Sequence, residues 1–449
     1  MGAGRRWKEN RVGVVQEGMS VSVRFRVKQT IKQAVQNVVL PVCYRANRGK
    51  AVDPKLVVFA DAHHNSRPAA MELLYRRLKE RGDFRIVEHY LDYGSAGAAA
   101  VAQHSMRFMQ LYACAGYVVI CDNFLPVASC DKRPETKVIQ LWHACGCYKK
   151  FGYDAKDDIP PDYHGANVYR NADLVTVSGE APVSAFASAM RLPERCVRPL
   201  GVSRTDLYFN ERWRERCRKR FYEKYLQAKG KKVVLWAPTF RGNAGMPELV
   251  APDLGKLQQE LGEDYIVLAR LHPHMMAGME QDKGQREEKR VIAQRTQRHS
   301  LQNFACEIPT EELYPVVDTL IADYSSLIYE YLLFDKPLVL YVPDLEEYRT
   351  RRGFYMAPEE IPARIVTQEQ TLARAVLEAE KEETETDEKR AAVTEASSAE
   401  KRVTGTKASQ VGKQTRKTRT ETTRERFLSA YMGACDGKAT DRIVDWMLE

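Results

Sequence analysis

Nowhere does the chain hold the uninterrupted stretch of about 18 apolar residues that a membrane-crossing helix needs, so no span is expected. The opening MGAGRRWKENRVGVVQEG is charged and has no apolar centre. A secretory signal is therefore not read there, and a cytoplasmic protein is expected. The 10 cysteines include no CxxC pair, and only Cys145 and Cys147 lie close together. That spacing excludes a disulfide framework and a zinc site, and it fits buried thiols in a reducing compartment. Zinc-finger spacing, RNP-like strands and helix-turn-helix patterns are missing too, so no nucleic-acid partner is expected. Charge of one sign is in modest excess, with 69 Lys and Arg against 60 Asp and Glu. A net +9 suits acidic partners such as phosphate-bearing substrates or an anionic membrane surface.

What is present is an alternation of short apolar runs with helical patterns. The runs at 55–60, 84–87, 117–121, 137–141 and 173–177 read as strands, as do those at 232–236, 265–269, 319–322 and 338–342. Helical spacing separates them, for example from Pro68 to Arg81 and over 102–113. The fold class is α/β, with doubly wound, mostly parallel sheets. At 449 residues the chain has room for two such domains and some additional sequence. The boundaries read as follows: a disordered segment and basic amphipathic helix in 1–50, Rossmann-like domains over 51–210 and 211–378, a polar low-complexity insertion over 379–424, and a helix over 425–449. Residues 1–21 read as disordered, with Met19 a candidate start. In the N-terminal helix Val27, Ile31, Ala34, Val35 and Val38 recur at helical spacing beside Arg24, Arg26, Lys28 and Lys32. Such a face either lies on anionic lipid or packs on the domain behind it. A basic linker helix is expected over 212–232, an exit loop over 237–243, and an insertion or mobile loop over 279–300.

The stretch 320–356 organises the rest. Its strand ends at Asp323-Tyr324, Ser325-Ser326 offer an N-cap pair, a helix follows over 327–334, and Asp335-Lys336-Pro337 stops it before the next strand. The helix start either binds an anion or is simply capped. Polar residues recur after other strand ends: His143 after 137–141, Arg270 and His272 after 265–269. Open α/β sheets bind ligands at those ends, and a histidine there can act as a general base near neutral pH.

WHACGCYKKFGYD (142–154), GVSRTD (201–206), WAPTFRGN (236–243), RLHPH (270–274) and DYSSLIYEYLLFDKP (323–337) resemble, in order, the blocks of the CDP-glycerol glycerophosphotransferase family of teichoic-acid polymerase-like enzymes. PDLEEYRTRRGFY (343–355) and CDGKATDRIV (435–444) continue the resemblance. It implies a GT-B-like fold, with the first domain taking the acceptor and the second the CDP donor. The implied reaction moves a polyol phosphate from a CDP-polyol to a hydroxyl of a lipid-linked polyol-phosphate acceptor at the inner membrane face and releases CMP, with no cofactor or metal. His143 would be the base. Trp142, Ala144, Cys145, Gly146, Arg204, Pro238, Thr239, Arg270, His272, Ser325 and Ser326 would hold the donor, and Glu330 its polyol or ribose hydroxyls. Two departures bear on the donor: Ala144-Cys145-Gly146 stands where the family often has Gly-Thr-Pro, and Glu330 where aspartate is common. The polyol is therefore glycerol or ribitol. The competing readings are a GT-B glycosyltransferase using a nucleotide sugar and a non-catalytic membrane-associated scaffold. The presence of His143, Arg270 and His272 argues against the scaffold.

Overall fold

The computed structural model describes residues 34–155, 158–159, 165–239, 241–243, 246–248, 250–271, 304, 306–384 and 422–449. The first domain is built on strands β1 (Asp53–Asp61), β2 (Arg85–Tyr90), β3 (Ala115–Ile120), β4 (Lys137–Gln140), β5 (Leu174–Thr176) and β6 (Val197–Arg198). They form one parallel sheet in the order β2-β1-β3-β4-β5-β6. The second domain holds β7 (Lys232–Ala237), a hairpin of β8 (Arg241–Asn243) and β9 (Met246–Glu248), then β10 (Tyr265–Ala269), β11 (Thr319–Ala322), β12 (Leu338–Tyr341) and β13 (Arg364–Val366). Its parallel sheet runs β10-β7-β11-β12-β13.

Both faces of these sheets are covered, which is why their strands read as continuous apolar runs. Along β1, Leu56, Val58 and Ala60 pack on Phe108, Met109 and Tyr112 of the helix Ala98–Tyr112. Val57 and Phe59 face the opposite layer, against Met71, Leu74 and Leu78 of the helix Ala69–Arg81. Gly82 ends that helix in the left-handed region (φ 74°), where a residue without Cβ is unstrained. With both faces buried, the carboxyl edges of the sheets are left to meet a ligand.

The chain returns to the first domain at its end. One helix was expected over 425–449; there are two, Thr423–Met432 and Ala439–Leu448. Thr422 and Glu425 form a capping box at the first, and Asp206 accepts the Ala439 and Thr440 N–H groups at 3.0 and 2.8 Å at the second. Ile443, Val444 and Met447 then join the core beside β1.

Other differences have local causes. The expected exit loop contains β8, which pairs with β9; Arg241 is anchored there by Asp323 at 2.9 Å and Asp344 at 2.7 Å. The linker helix stops at Lys224, with a 3-10 turn at Leu226–Ala228 before β7. Residues 379–384 are helical and belong to the body: Glu380 is buried and bonded to Lys232, Tyr265 and Thr319. Residues 385–421, the segment 279–300 and the basic stripe at 23–33 lie outside the described residues. From residue 34 the chain is helical to Asn47, with Leu40 and Tyr44 buried and Val38 and Val42 exposed. All 10 cysteines are free thiols.

The return of the last helix gives a stability prediction. Ile443→Ala is expected to lower unfolding free energy by about 2–5 kcal/mol, as a core cavity does. The exposed neighbour Asp445→Ala should stay within about 0.5 kcal/mol. Urea unfolding of both variants is the check; equal effects would mean that the helix is not part of the core.

Candidate functional site

A cleft of about 610 Å³ lies between the carboxyl edges of the two sheets. Trp142, His143, Ala144, Cys145 and Gly146 line it from the first domain, and Pro238, Thr239, Arg270, Ser325 and Ser326 from the second. The topology thus gathers ten of the expected site residues in one place. A smaller recess of about 240 Å³ shares Ser325 and Ser326 with the cleft and is floored by Arg204 and Glu330. His272 lies outside the described residues.

His143 is placed by the ends of β3 and β4. Gln140 accepts the Trp142 N–H at 3.0 Å and donates to the Asp122 carbonyl at 3.0 Å, tying the two strand ends together. Trp142 adopts a left-handed backbone (φ 58°), strained for a residue with a large side chain. Its ring stacks on the imidazole with centroids 4.6 Å apart and packs against Phe151 and Phe186. The His143 Nδ1 lies 3.3 Å from the Cys121 carbonyl oxygen and 3.4 Å from the Asp122 carboxylate. A proton on Nδ1 directed at either oxygen leaves the lone pair on Nε2, the form a general base needs. Asp122, which sequence reading missed, stands where it can orient that ring. Its only local signal is that it follows a strand end. His63 Nε2 stands 4.0 Å from the same carboxylate, and His64 Nδ1 is bonded to Asp61 at 2.9 Å. Among the described residues no group of three or more His, Cys, Asp or Glu side chains is arranged to hold a metal ion.

The segment after His143 serves mainly to pack. Burial pushes the Cys145 thiol well above its ordinary range, with Cys435 and Glu330 adding to the shift, so the thiol stays neutral. Gly146 has φ 64°, and a Cβ there would lie 2.2 Å from the Tyr329 ring. Its N–H goes to Ser178 Oγ at 2.8 Å, which in turn donates to the Tyr431 carbonyl. Gly146 therefore brings two domains into contact while its own amide is already engaged.

On the opposite wall, Asp323 accepts the Thr239 N–H with both oxygens, at 2.9 and 3.0 Å. Arg241 clamps the same turn through the Thr239 carbonyl at 2.6 Å. Arg270 donates to the Cys306 carbonyl at 3.1 Å and has no carboxylate partner among the described residues. The helix behind Ser325-Ser326 spans only Leu327–Leu332, so its dipole is small. Ser325 Oγ is a weak 3.4 Å cap on Leu327 N–H, and the Ser326 side chain makes no cap bond. The Ser326 hydroxyl has no hydrogen-bond partner among the described residues.

Arg204 and Glu330 are paired with each other. The guanidinium meets the Glu330 carboxylate through Nε at 3.2 Å and through a shorter Nη2 contact, and Tyr208 donates its hydroxyl to the same carboxylate. Arg204 Nη1 also donates to the His143 carbonyl at 2.6 Å. Burial opposes the arginine charge, but Glu330 more than offsets it and holds the group well above the usual arginine range. This pair joins the first domain, through the 3-10 segment Ser203–Phe209, to the helix of the second.

Two parallel α/β domains facing across a cleft, with the last helix recrossing to the first, define a GT-B-like protein. The wall teichoic acid polymerase TagF shares this fold, with TM-score 0.63 over 95% of this chain and 97% of that one at 20% identity. The family model described as CDP-Glycerol:Poly(glycerophosphate) glycerophosphotransferase matches residues 42–400. The chain belongs to that family of transferases. A teichoic acid ribitol-phosphate primase of Bacillus spizizenii is 35% identical over 291 residues, 63% of this chain and 71% of that protein. A teichoic acid glycerol-phosphate primase of Bacillus subtilis is 31% identical over 245 residues, 53% of this chain and 58% of that protein. The match spans only 47% of the poly(ribitol-phosphate) polymerase of B. spizizenii, at 30% identity.

The ion pair yields a prediction. Glu330→Gln should cost about 3–5 kcal/mol of stability, because it strands a buried guanidinium. Adding Arg204→Met should recover much of that loss. Chemical denaturation of the three variants measures it; an unchanged midpoint for Glu330→Gln would show that the carboxylate serves ligand alone.

Proposed function

We propose that the chain transfers a polyol phosphate from a CDP-polyol to a hydroxyl of a polyol-phosphate acceptor and releases CMP. The observation that carries this is a histidine with Nδ1 committed to oxygen and Nε2 free, across a cleft from Arg270 and the Ser325-Ser326 turn. His143 Nε2 takes the acceptor hydroxyl proton as the oxygen attacks the phosphorus that bears the polyol. The bond from that phosphorus to the bridging oxygen breaks, and CMP leaves with the negative charge. Phosphoryl transfer asks chiefly for in-line positioning and for charge stabilised on the non-bridging and leaving oxygens. Arg270 and the Ser326 hydroxyl are suited to that. Glu330 acts on the site through Arg204 and the His143 carbonyl, and the recess it floors can receive polyol hydroxyls. Relatives named for ribitol phosphate and for glycerol phosphate both match the chain, so the donor is given by class.

No helix among the described residues is long and apolar enough to cross a membrane. We read attachment to the inner membrane face as peripheral. Val38 and Val42 are 60% and 55% exposed on one side of the N-terminal helical segment, next in sequence to the basic Arg24–Lys32 stripe. A lipid-linked acceptor would then be held near the cleft, by forces that weaken with salt.

His143→Ala is expected to lower CMP release by about 10²–10⁴-fold with donor affinity retained; near-normal turnover would remove the base assignment. Ser326→Ala should raise the donor KM about tenfold, the loss of one hydrogen bond to a charged group, with Tm unchanged. A fall in Tm with KM unmoved would make the serine a cap.

A further inference from the structure

Among the described residues, three cationic side chains line the cleft: Lys149, Arg270 and Arg352. Arg352 is neutralised by Asp158 at 2.8 Å. Nearby, Arg241 is held by Asp323 and Asp344, and Arg204 by Glu330. Lys149 differs from these. Its ammonium has no hydrogen bond or ion pair among the described residues, although the side chain is partly buried.

Its backbone is fixed. Lys149 forms an antiparallel bridge with Phe354, flanked by Lys150 N–H to the Gly353 carbonyl at 3.1 Å and Tyr355 N–H to the Tyr148 carbonyl at 2.9 Å. Beside it Tyr148 and Phe354 stack with centroids 5.1 Å apart. The lysine is thus pinned where the first domain's cleft loop crosses the second domain. The charges facing it are Asp158 from its own loop, Arg352 from segment 352–355, and Asp323 and Arg241 from the strand ends of the second sheet. Both carboxylates already serve an arginine. An ammonium withdrawn from water without its own counter-ion destabilises the protein unless an anion arrives.

We propose that Lys149 is a phosphate-binding residue, holding the charged oxygens of a substrate phosphate from the first-domain wall while Arg270 holds the second. This rests on the phosphotransfer reading of the cleft, and it adds a residue that the reading did not use. An ammonium meets a phosphate as a compact point charge, without the fixed fork of a guanidinium. Burial, aided by Arg352, lowers the lysine to about 8. The charge is therefore present below about pH 8 and lost above it, so anion affinity should fall with rising pH.

The test is calorimetry on the full chain with two probes: CDP, whose diphosphate only gains negative charge between pH 7 and 9, against the predicted fall in affinity, and glycerophosphoryl-glycerol, a phosphodiester with one constant charge. CDP stands for the donor phosphates and the phosphodiester for the acceptor. Lys149→Gln is expected to weaken one of them by about 10–100-fold at pH 7, with Tm equal to or above that of the unmodified protein; which probe responds assigns the phosphate. Unmodified protein should lose about tenfold in that affinity between pH 7 and 9, and Lys149→Arg should not. The proposal is overturned if Lys149→Gln binds both probes normally, if the unmodified protein binds neither, or if Lys149→Arg keeps the pH loss. CMP release from CDP-glycerol and CDP-ribitol is followed alongside. Its absence, with Lys149-dependent binding intact, would sink the transfer reading and leave this site standing.

Discussion

The buried Arg204–Glu330 pair is the contact on which the cleft depends. Glu330 sits on the helix after Ser325-Ser326, and Arg204 leaves the first domain at its junction with the second. The same guanidinium grips the His143 carbonyl, so one side chain relates the proposed general base to the opposing serine turn. Removing two charges from water is costly, and a buried pair often adds little net stability. What it provides here, together with the bonds between residues 148–158 and segment 352–355, is relative placement of the two sheets. Tyr208 reinforces it by donating to the same carboxylate. Gly146 makes the neighbouring apolar contact, admitting the Tyr329 ring where any side chain would collide.

Around that joint, the chemistry follows from topology. Parallel sheets covered on both faces expose their polar backbone only at strand ends, and five of those ends meet around the cleft. The β3 end supplies Asp122 and the Cys121 carbonyl, and the β4 end supplies His143. The β7 end supplies the Thr239 turn, the β10 end Arg270, and the β11 end Asp323 with the serines. Asp323 shows how closely support and function are placed: it fastens Thr239 and Arg241 together while bordering the site. The arginines around the cleft are mostly neutralised by such supports. Net positive charge alone thus says little about which cations meet a substrate.

Strands such as β7, β10 and β11 were legible in the sequence because double-sided burial leaves continuous apolar runs. The two shortest edge strands were not: β6 and β13 have two and three residues, too few to carry a period. The site residues after strand ends were readable for the same reason that the strands were. The resemblance to known blocks supplied their roles. Partnerships were harder. Arg204 and Glu330 stand 126 residues apart, and nothing local in either shows that they neutralise each other. Asp122 gains meaning only once β3 and β4 are neighbours. Lys149 and Lys150 are indistinguishable in the string, and only the bridge to Phe354 separates them. Gly433 to Gly437 broke the terminal helix where a single apolar pattern had been read through.

The central claim is that attack occurs at phosphorus. ³¹P NMR of the full chain with CDP-glycerol or CDP-ribitol and a polyol-phosphate acceptor tests it most directly. The account predicts loss of the two pyrophosphate resonances, with CMP and a new phosphodiester appearing in equal amounts. Intact pyrophosphate signals with these donors, together with release of a nucleoside diphosphate from a nucleotide sugar, would contradict it.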